Sequence, residues 1–410
     1  MKNYLDQPVI SLEKSSYLTL IIFLAPFLNF LAGITTDIFA PSLPAIARDL
    51  HTSNMLTKNT ISITLFGWMI GAIVFGVLID SLGRKITLIL GILIYVLASL
   101  SVLWCDTIHA LMVVRFIQGV SIASISIGCR LLILDTCSGR SYNMAILYTT
   151  VAYGLGPILG PFIGGILQHT FGWRANFMAL FIVGTVMLSF LLIFIKESIP
   201  MRQQLIPQVI VKNMLSVLVH KKFLCGSVTA GIVTIQLLLY PTLGPFIVEN
   251  LLHHSVLVYG NTALIVGACY LTGTLSTRFL LGLYSPKKIC EIGLMVLGVG
   301  VILSFIFVFL SRLNLATVMI PIMLITVSAG LMTPNILGAN LKQFPHTAGI
   351  AQAIQLGLIM LSTSIGLFII SHVHIKSLWQ TSAIILVLAA LEAGFFCYGY
   401  RSIFDEDVTL

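Results

Sequence analysis

The chain has 410 residues, of which 58% are hydrophobic and only 9% are charged. Soluble globular domains carry roughly 25% charged residues, so this composition excludes a soluble protein. Most of the surface must face lipid, and the length accommodates about twelve spanning helices of roughly 20 residues each. The net charge of +8 then reflects membrane topology, and we expect no nucleic-acid partner.

Apolar runs long enough to cross a bilayer recur along the whole chain. The first follows a polar start and is too long for the apolar core of a cleavable signal, so we interpret it as a retained anchor. The predicted spans are 17–43, 59–79, 86–104, 109–134, 142–167, 174–195, 222–248, 257–281, 288–311, 315–339, 347–371 and 378–400.

The long polar interruption from Lys196 to Lys222 divides these spans into two halves of nearly equal length. The sequence therefore predicts two six-helix bundles, at 1–198 and 222–410, joined by a linker at 199–221. Most Lys and Arg residues fall on the linker side, and cytoplasmic loops carry such an excess. Both termini and the linker are thus predicted to be cytoplasmic. The basic residues on the other side are Arg48, Lys58, Arg174, Arg312 and Lys376.

Asp37 lies in the outer half of the first apolar run. A carboxylate in lipid is costly, and its default interpretation is functional; the alternative is a carboxylate close enough to the outer end to reach water. Arg115 lies at a similar depth in the fourth run, which crosses in the opposite direction. The two side chains can pair, or compete for a proton and a substrate. A structural Arg115 would instead hydrogen-bond backbone carbonyls.

A charged turn separates the second and third runs, with the sequence Gly76-Val-Leu-Ile-Asp80-Ser-Leu-Gly83-Arg84-Lys85. One carboxylate and two cations in a turn between spanning helices do not contribute to apolar packing, so a functional role is favoured. It resembles the loop between helices 2 and 3 of the major facilitator superfamily of transporters. The resemblance implies a gate that ties this loop to the second half of the protein.

The fifth run carries glycine at every fourth position, which leaves a bare stripe that lets another helix approach closely. Prolines beside this stripe remove backbone donors. The pattern resembles the helix-5 signature of exporters that exchange substrate for protons. Its residues are Gly156, Pro157, Gly160, Pro161, Gly164 and Gly165.

Further strings narrow the resemblance to the Bcr/CflA group of bacterial drug:proton antiporters. They include Tyr240-Pro-Thr-Leu-Gly-Pro-Phe246 and Gly330-Leu-Met-Thr-Pro-Asn335. The string Arg115-Phe-Ile-Gln118-Gly119 resembles the helix-4 motif of proton-coupled members of the superfamily. The resemblance implies the major facilitator fold, a multi-pass protein of the bacterial inner membrane, a monomer, and no cofactor or metal. Leu134 stands where the group usually has Arg, and Asn29 stands where some multidrug exporters carry a second carboxylate.

The resemblance also implies a substrate cavity between the halves. Its candidate wall residues are Phe27, Asn29, Phe30, Gln118, Tyr240, Phe246, Met332 and Asn335. Aromatic walls beside one acid suit amphiphilic, often cationic compounds. Glu392, in the last run, either has a function or extends toward water.

The sequence contains no hydrolase, phosphate-loop or intramembrane-protease motif, and we do not expect an enzyme. We therefore predict a transporter that exports amphiphilic small molecules or drugs, driven by inward proton flow. The alternative is an exporter of an endogenous metabolite such as a siderophore, and a non-transporting membrane sensor is a third possibility.

Overall fold

The computed structural model describes residues 12–198, 215–310, 313–344, 348–375 and 377–400. Arg312, Lys376, the ends of the chain and residues 199–214 of the predicted linker lie outside this part. The α-helices are α1 (Leu12–Ile34), α2 (Leu43–Asp49), α3 (Asn54–Leu82), α4 (Arg84–Ser101), α5 (Ile108–Thr136), α6 (Gly139–Phe171), α7 (Arg174–Phe194), α8 (Lys221–Phe246), α9 (Val256–Leu280), α10 (Pro286–Phe309), α11 (Leu315–Lys342), α12 (Ala348–Ser371) and α13 (Leu378–Phe395).

Within the described residues, twelve of these helices are long and apolar enough to cross a membrane, and only α2 is too short. The prediction of twelve spans is confirmed. The surface fits a lipid environment, since α10 exposes large side chains at helical spacing, among them Met295, Val299 and Ile302. In the apolar 18-residue stretch that marks each span, 72% of α8 is buried inside the protein, whereas only 28% of α7 and of α10 is buried. Hence α8 is a central helix, and α7 and α10 lie at the periphery.

Helix pairing repeats between the two halves. In the first half α3 packs on α5, α4 on α5, and α1 on α6. In the second half α9 packs on α11, α10 on α11, and α8 on α12 in the same order. The sequence shows this internal repeat only weakly, because lipid-exposed apolar positions accept many different residues.

The halves meet along two further pairs, α3 with α12 and α6 with α9. We call the end where α7 ends and α8 begins the linker end, and the opposite end, where α2 lies, the closed end. At the closed end the Ser364 hydroxyl donates to the Ser62 carbonyl at 2.8 Å. The backbones of α6 and α9 also approach closely there, since a Cβ on Gly165 would lie 3.3 Å from the Val256 carbonyl oxygen.

The first span is shorter than predicted. The run at 17–43 was expected to be one helix, but α1 ends at Ile34 and is followed by a turn and a 3₁₀ segment, Ala40–Ser42. The turn is closed by backbone N–H groups of Asp37 and Ile38, which both donate to the Ile34 carbonyl. Pro41 has no N–H to continue an α-helix. This break leaves Asp37 in the turn rather than on a helix face.

Candidate functional site

Asp37 is buried within the break after α1, with only 1% of its surface exposed. One carboxylate oxygen accepts a hydrogen bond from the Thr36 hydroxyl at 2.7 Å. The other oxygen has no hydrogen-bond partner. The alternative that this carboxylate reaches water is therefore wrong in this conformation. A buried acceptor without a partner is costly, so this oxygen is available for a proton or a donor.

Arg115 is fully buried beside this turn and is close enough to Asp37 to act on it electrostatically. The two groups do not hydrogen-bond. Instead one Arg115 nitrogen donates to the Thr35 carbonyl at 3.3 Å and to Gln118 Oε1 at 2.8 Å. The guanidinium lies 4.0 Å from the centroid of the Phe39 ring, which is a cation–π distance.

A chain of hydrogen bonds extends from Arg115 to α4 and back to the turn. Gln118 Nε2 donates to the Ser99 hydroxyl at 2.8 Å. Tyr95, one turn before Ser99, shares a 2.7 Å hydrogen bond with the Thr35 hydroxyl. Side chains of α4 and α5 thus hold the turn that carries Asp37, while Nε and Nη2 of Arg115 have no hydrogen-bond partner.

The glycine stripe of α6 forms the opposite wall of this site. A Cβ on Gly156 would collide with the backbone of Gly33 and Ile34, and one on Gly164 with the Ile38 carbonyl. A Cβ on Gly160 would lie 3.3 Å from the Asp37 Cβ. The stripe therefore packs on the turn of its own half. On another side of α6, Gly165 and the Pro161 carbonyl face α9 of the other half.

The two prolines of this motif do not interrupt α6, which runs continuously from Gly139 to Phe171 through Pro157 and Pro161. Asn29 adds a polar contact near the stripe, since its amide donates to the Thr149 carbonyl of α6 at 3.0 Å. The contact between α1 and α6 thus combines bare backbone surfaces with one buried hydrogen bond.

The charged turn between α3 and α4 lies at the linker end and is organised by Arg84. Its side chain pairs with Asp80 at 2.5 Å and with Asp135, at the end of α5, at 3.0 Å. Gly83 has φ +105°, a conformation that L residues with a side chain rarely adopt. Gly76 has open space around it, and Lys85 is half-buried.

Glu197 is a member of this cluster that the sequence did not single out. Its carboxylate accepts from the Arg84 backbone N–H at 2.8 Å, which places a negative charge at the N-terminus of α4. A Cβ on Gly83 would meet this same carboxylate. The signal in the sequence was weak, because one acidic residue after the sixth span looks like an ordinary loop residue.

At the closed end Lys58 bridges the halves. Its ammonium group donates to the Val373 carbonyl, just after α12, at 3.1 Å and lies 6.0 Å from the Phe246 ring centroid. Arg48 approaches Glu249 of the second half at 3.8 Å. Within the first half, Asp49 accepts hydrogen bonds from Trp173 and Arg174, which lower the pKa of this carboxyl.

A family model described as Major Facilitator Superfamily matches residues 27–367. The chain belongs to this superfamily. Solved structures share its fold: a D-xylose-proton symporter aligns with a TM-score of 0.75 at 17% identity, covering 92% of this chain and 98% of that chain. A bacterial homologue of the human lysosomal transporter Spinster aligns with a TM-score of 0.70 at 13% identity, covering 97% and 99%.

Curated relatives are more similar in sequence. An uncharacterized MFS-type transporter, YdgK of Bacillus subtilis, is 26% identical and covers 81% of this chain and 83% of its own. The multidrug resistance protein MdtM of Escherichia coli K12 is 24% identical over 67% and 69%, and the multidrug transporter MdfA of Yersinia pestis is 24% identical over 67% and 68%. This superfamily member is thus a multi-pass membrane transporter rather than an enzyme.

The predicted cavity residues are distributed unevenly in this conformation. Phe27 is 60% exposed and Phe30 is half-buried, on a face of α1 that its neighbours α5, α6 and α7 leave uncovered. The other predicted wall residues are buried: Asn29, Gln118, Tyr240, Phe246, Met332 and Asn335. Tyr240, for example, hydrogen-bonds Thr262 of α9. Met332 faces Gly293 of α10, away from the first half.

Proposed function

We propose that the protein exports amphiphilic small molecules, including drugs, across the bacterial inner membrane in exchange for protons, as a member of the Bcr/CflA group. The observation that carries this proposal is the Asp37 site, a buried carboxylate with one free oxygen beside a buried arginine. Relatives named as multidrug transporters support the export of drugs.

The linker end is the cytoplasmic end in this proposal, because cytoplasmic loops carry the excess of Lys and Arg. The contacts between the halves named above lie toward the closed end, and we assign this conformation in the proposed cycle to the state that opens to the cytoplasm. Substrate enters there, along the exposed face of α1 that carries Phe23 and Phe27. The basic residues at the linker end include Arg84, Lys85, Arg140, Lys196, Lys221, Lys222, Arg278, Lys287, Lys288 and Lys342.

The exchange of substrate for protons follows because Asp37 can bind only one of the two at a time. An ionised carboxylate in an apolar interior is costly without a partner, so it holds either a proton or a cationic group. A cation that pairs with Asp37 displaces the proton, and a proton that returns from the closed end displaces the cation. Arg115 favours the ionised form electrostatically and thereby sets the balance. Each ligand shifts the carrier toward the state that it binds better.

The decisive experiment measures proton release on substrate binding, with purified monomeric protein in weakly buffered detergent solution and tetraphenylphosphonium as a lipophilic cation. The wild-type protein should release protons, and the Asp37→Asn variant should not. Asp106→Asn is the matched control, because it makes the same chemical change at a side chain that is 92% exposed. Proton release by Asp37→Asn at the wild-type level would falsify the assignment of Asp37.

A second variant tests whether Arg115 tunes the protonation of Asp37. Arg115→Ala should shift the pH dependence of export in everted vesicles, since the charge beside Asp37 is removed. A change in protein amount alone, with the same pH profile per transporter, would reduce Arg115 to a structural role. That role would match its hydrogen bonds to the Thr35 carbonyl and Gln118.

A further inference from the structure

Glu392 of α13 is a second buried carboxyl group, far from Asp37 in the chain. Only 1% of its surface is exposed, and neither carboxyl oxygen has a hydrogen-bond partner with good geometry. The expectation that this side chain could extend to water is therefore wrong. An ionised carboxylate buried without a cation is among the costliest groups in a membrane interior.

Gln236 of α8 faces Glu392, and its buried side-chain amide also has no hydrogen-bond partner with good geometry. The two side chains are close enough to interact, yet both the amide nitrogen and the amide oxygen of Gln236 have no partner with good geometry. With the π-helical turn that continues α8, the α8 span reaches the closed end at Leu251, about 15 residues after Gln236. The α13 span begins at the closed end at Leu378, about 14 residues before Glu392. At about 1.5 Å per residue, the two groups share a depth of roughly 20 Å.

A neutral carboxylic acid and a primary amide are complementary. The acid O–H donates to the amide oxygen while the amide N–H donates to the acid carbonyl, and this satisfies both groups at once. An ionised carboxylate can only accept, so it leaves the Gln236 oxygen without a donor. The geometry therefore favours the acid form on grounds of hydrogen bonding as well as burial.

Among the described residues, the groups that interact with Glu392 from the two helices packed on α13 are uncharged or acidic. From α10, the titratable group that interacts with it is the buried Cys290 thiol. Glu291, next along α10, pairs with Lys288 of its own helix at 3.2 Å. From α8, the facing polar group is Gln236, which is uncharged.

We propose that Glu392 and Gln236 form a second protonation site, in the second half of the protein, where the neutral acid hydrogen-bonds the amide and joins α13 to α8. Loss of the proton removes the hydrogen bond to the amide oxygen and leaves a buried charge with only the amide N–H as its donor. Because α8 also carries Tyr240 and continues to Glu249 at the closed end, the site couples a proton to the position of a central helix. The site does not depend on proton exchange at Asp37.

Infrared spectroscopy of purified protein tests this site without any substrate. Near neutral pH the wild-type spectrum should contain the carbonyl band of a protonated carboxyl group that is absent from Glu392→Gln. Glu291→Gln is the matched control and should keep the band. Spectra of wild type and Glu392→Gln that are identical in this region would overturn the proposal.

Gln236→Leu tests the contact while it leaves Glu392 in place, so it also serves if Glu392→Gln fails to fold. Loss of the amide should move the band to higher frequency, because the acid loses its hydrogen bonds. A band that does not move would rule out the acid–amide pair. Since no substrate is present, this result is independent of the proton-release test on Asp37, and either proposal can fail while the other stands.

Discussion

The two ends of the bundle use their polar side chains differently. At the closed end, Lys58, Ser364 and Arg48 each reach across to the other half. At the linker end, Arg84 gathers Asp80, Asp135 and Glu197, all from the first half. The contacts of Asn340 to Phe223 and Ser227 likewise remain within the second half.

The proposed transport cycle requires two conformations, and this difference fits that requirement. The polar groups that join the halves at the closed end must separate when that end opens. The Arg84 cluster already satisfies its charges within one half, so it can exist as a rigid unit while the linker end is open. Substitutions at one end or the other test this difference, and their expected effects decrease from the glycine stripe to the pair of Arg48 and Glu249.

The largest effect is expected for the glycine stripe near the closed end. Gly156→Leu would place a side chain into the backbone at the end of α1, and Gly164→Leu into that of the Asp37 turn. Overpacking of this kind costs about 3 kcal/mol. Both variants should lose export. Gly154→Leu is the control on the same helix, because a Cβ there meets nothing within 4 Å. Vesicle export, normalised to the amount of membrane-inserted protein, measures the effect, and normal export by both variants would contradict the packing role.

The next effect concerns the linker end. Asp80→Asn weakens the pair with Arg84 but leaves Asp135 and Glu197 in place, so this conformation should persist and bind ligand. We expect turnover to be lost, since the resemblance assigns Asp80 to the gate that forms when this end closes. Ser81→Ala is the control, as its hydroxyl donates to the Leu78 carbonyl of its own helix. Transport at the wild-type rate by Asp80→Asn would remove the gating role.

A moderate effect is expected at Lys58. Lys58→Met keeps the apolar stem but removes the hydrogen bond to Val373, and a bond from a charged donor contributes about 2 kcal/mol. The population of the state that is open at the closed end should rise by roughly 30-fold. Labelling of a cysteine introduced at Ser62 reports this opening, with Lys288→Met as the control. An unchanged labelling rate would show that Lys58 does not hold this end.

The smallest effect is expected for Arg48 and Glu249. Arg48 is 64% exposed and its nitrogen lies 3.8 Å from the carboxylate. Pairs of this kind contribute less than about 1 kcal/mol. A double-mutant cycle of Arg48→Ala and Glu249→Gln on thermal stability should therefore give a coupling energy near zero. A coupling above about 1 kcal/mol would place this pair among the main contacts of the closed end.

The sequence predicted the buried acidic and basic groups but not their partners. Asp37 and Arg115 were expected near each other, and the structure brings them together without a hydrogen bond. Arg115 instead stacks on Phe39, a contact that depends on the break after α1. The sequence did not predict that break, because the apolar run continues through it.

The glycine stripe shows the same limit. The four-residue spacing predicted a close helix contact but not which helix makes it. The structure identifies the partner, since the stripe packs on the end of α1 and the turn after it, in its own half. A bare helix face indicates that another backbone approaches closely, but it carries no information on which backbone that is.

Composition and hydropathy alone determined that the chain crosses a membrane twelve times, because the free energy of burying each helix in lipid depends on its own residues. Tertiary structure decided which faces turn inward. Glu392 illustrates this division: in an apolar helix every face resembles every other, so only packing against α8 could bury its carboxyl group opposite Gln236.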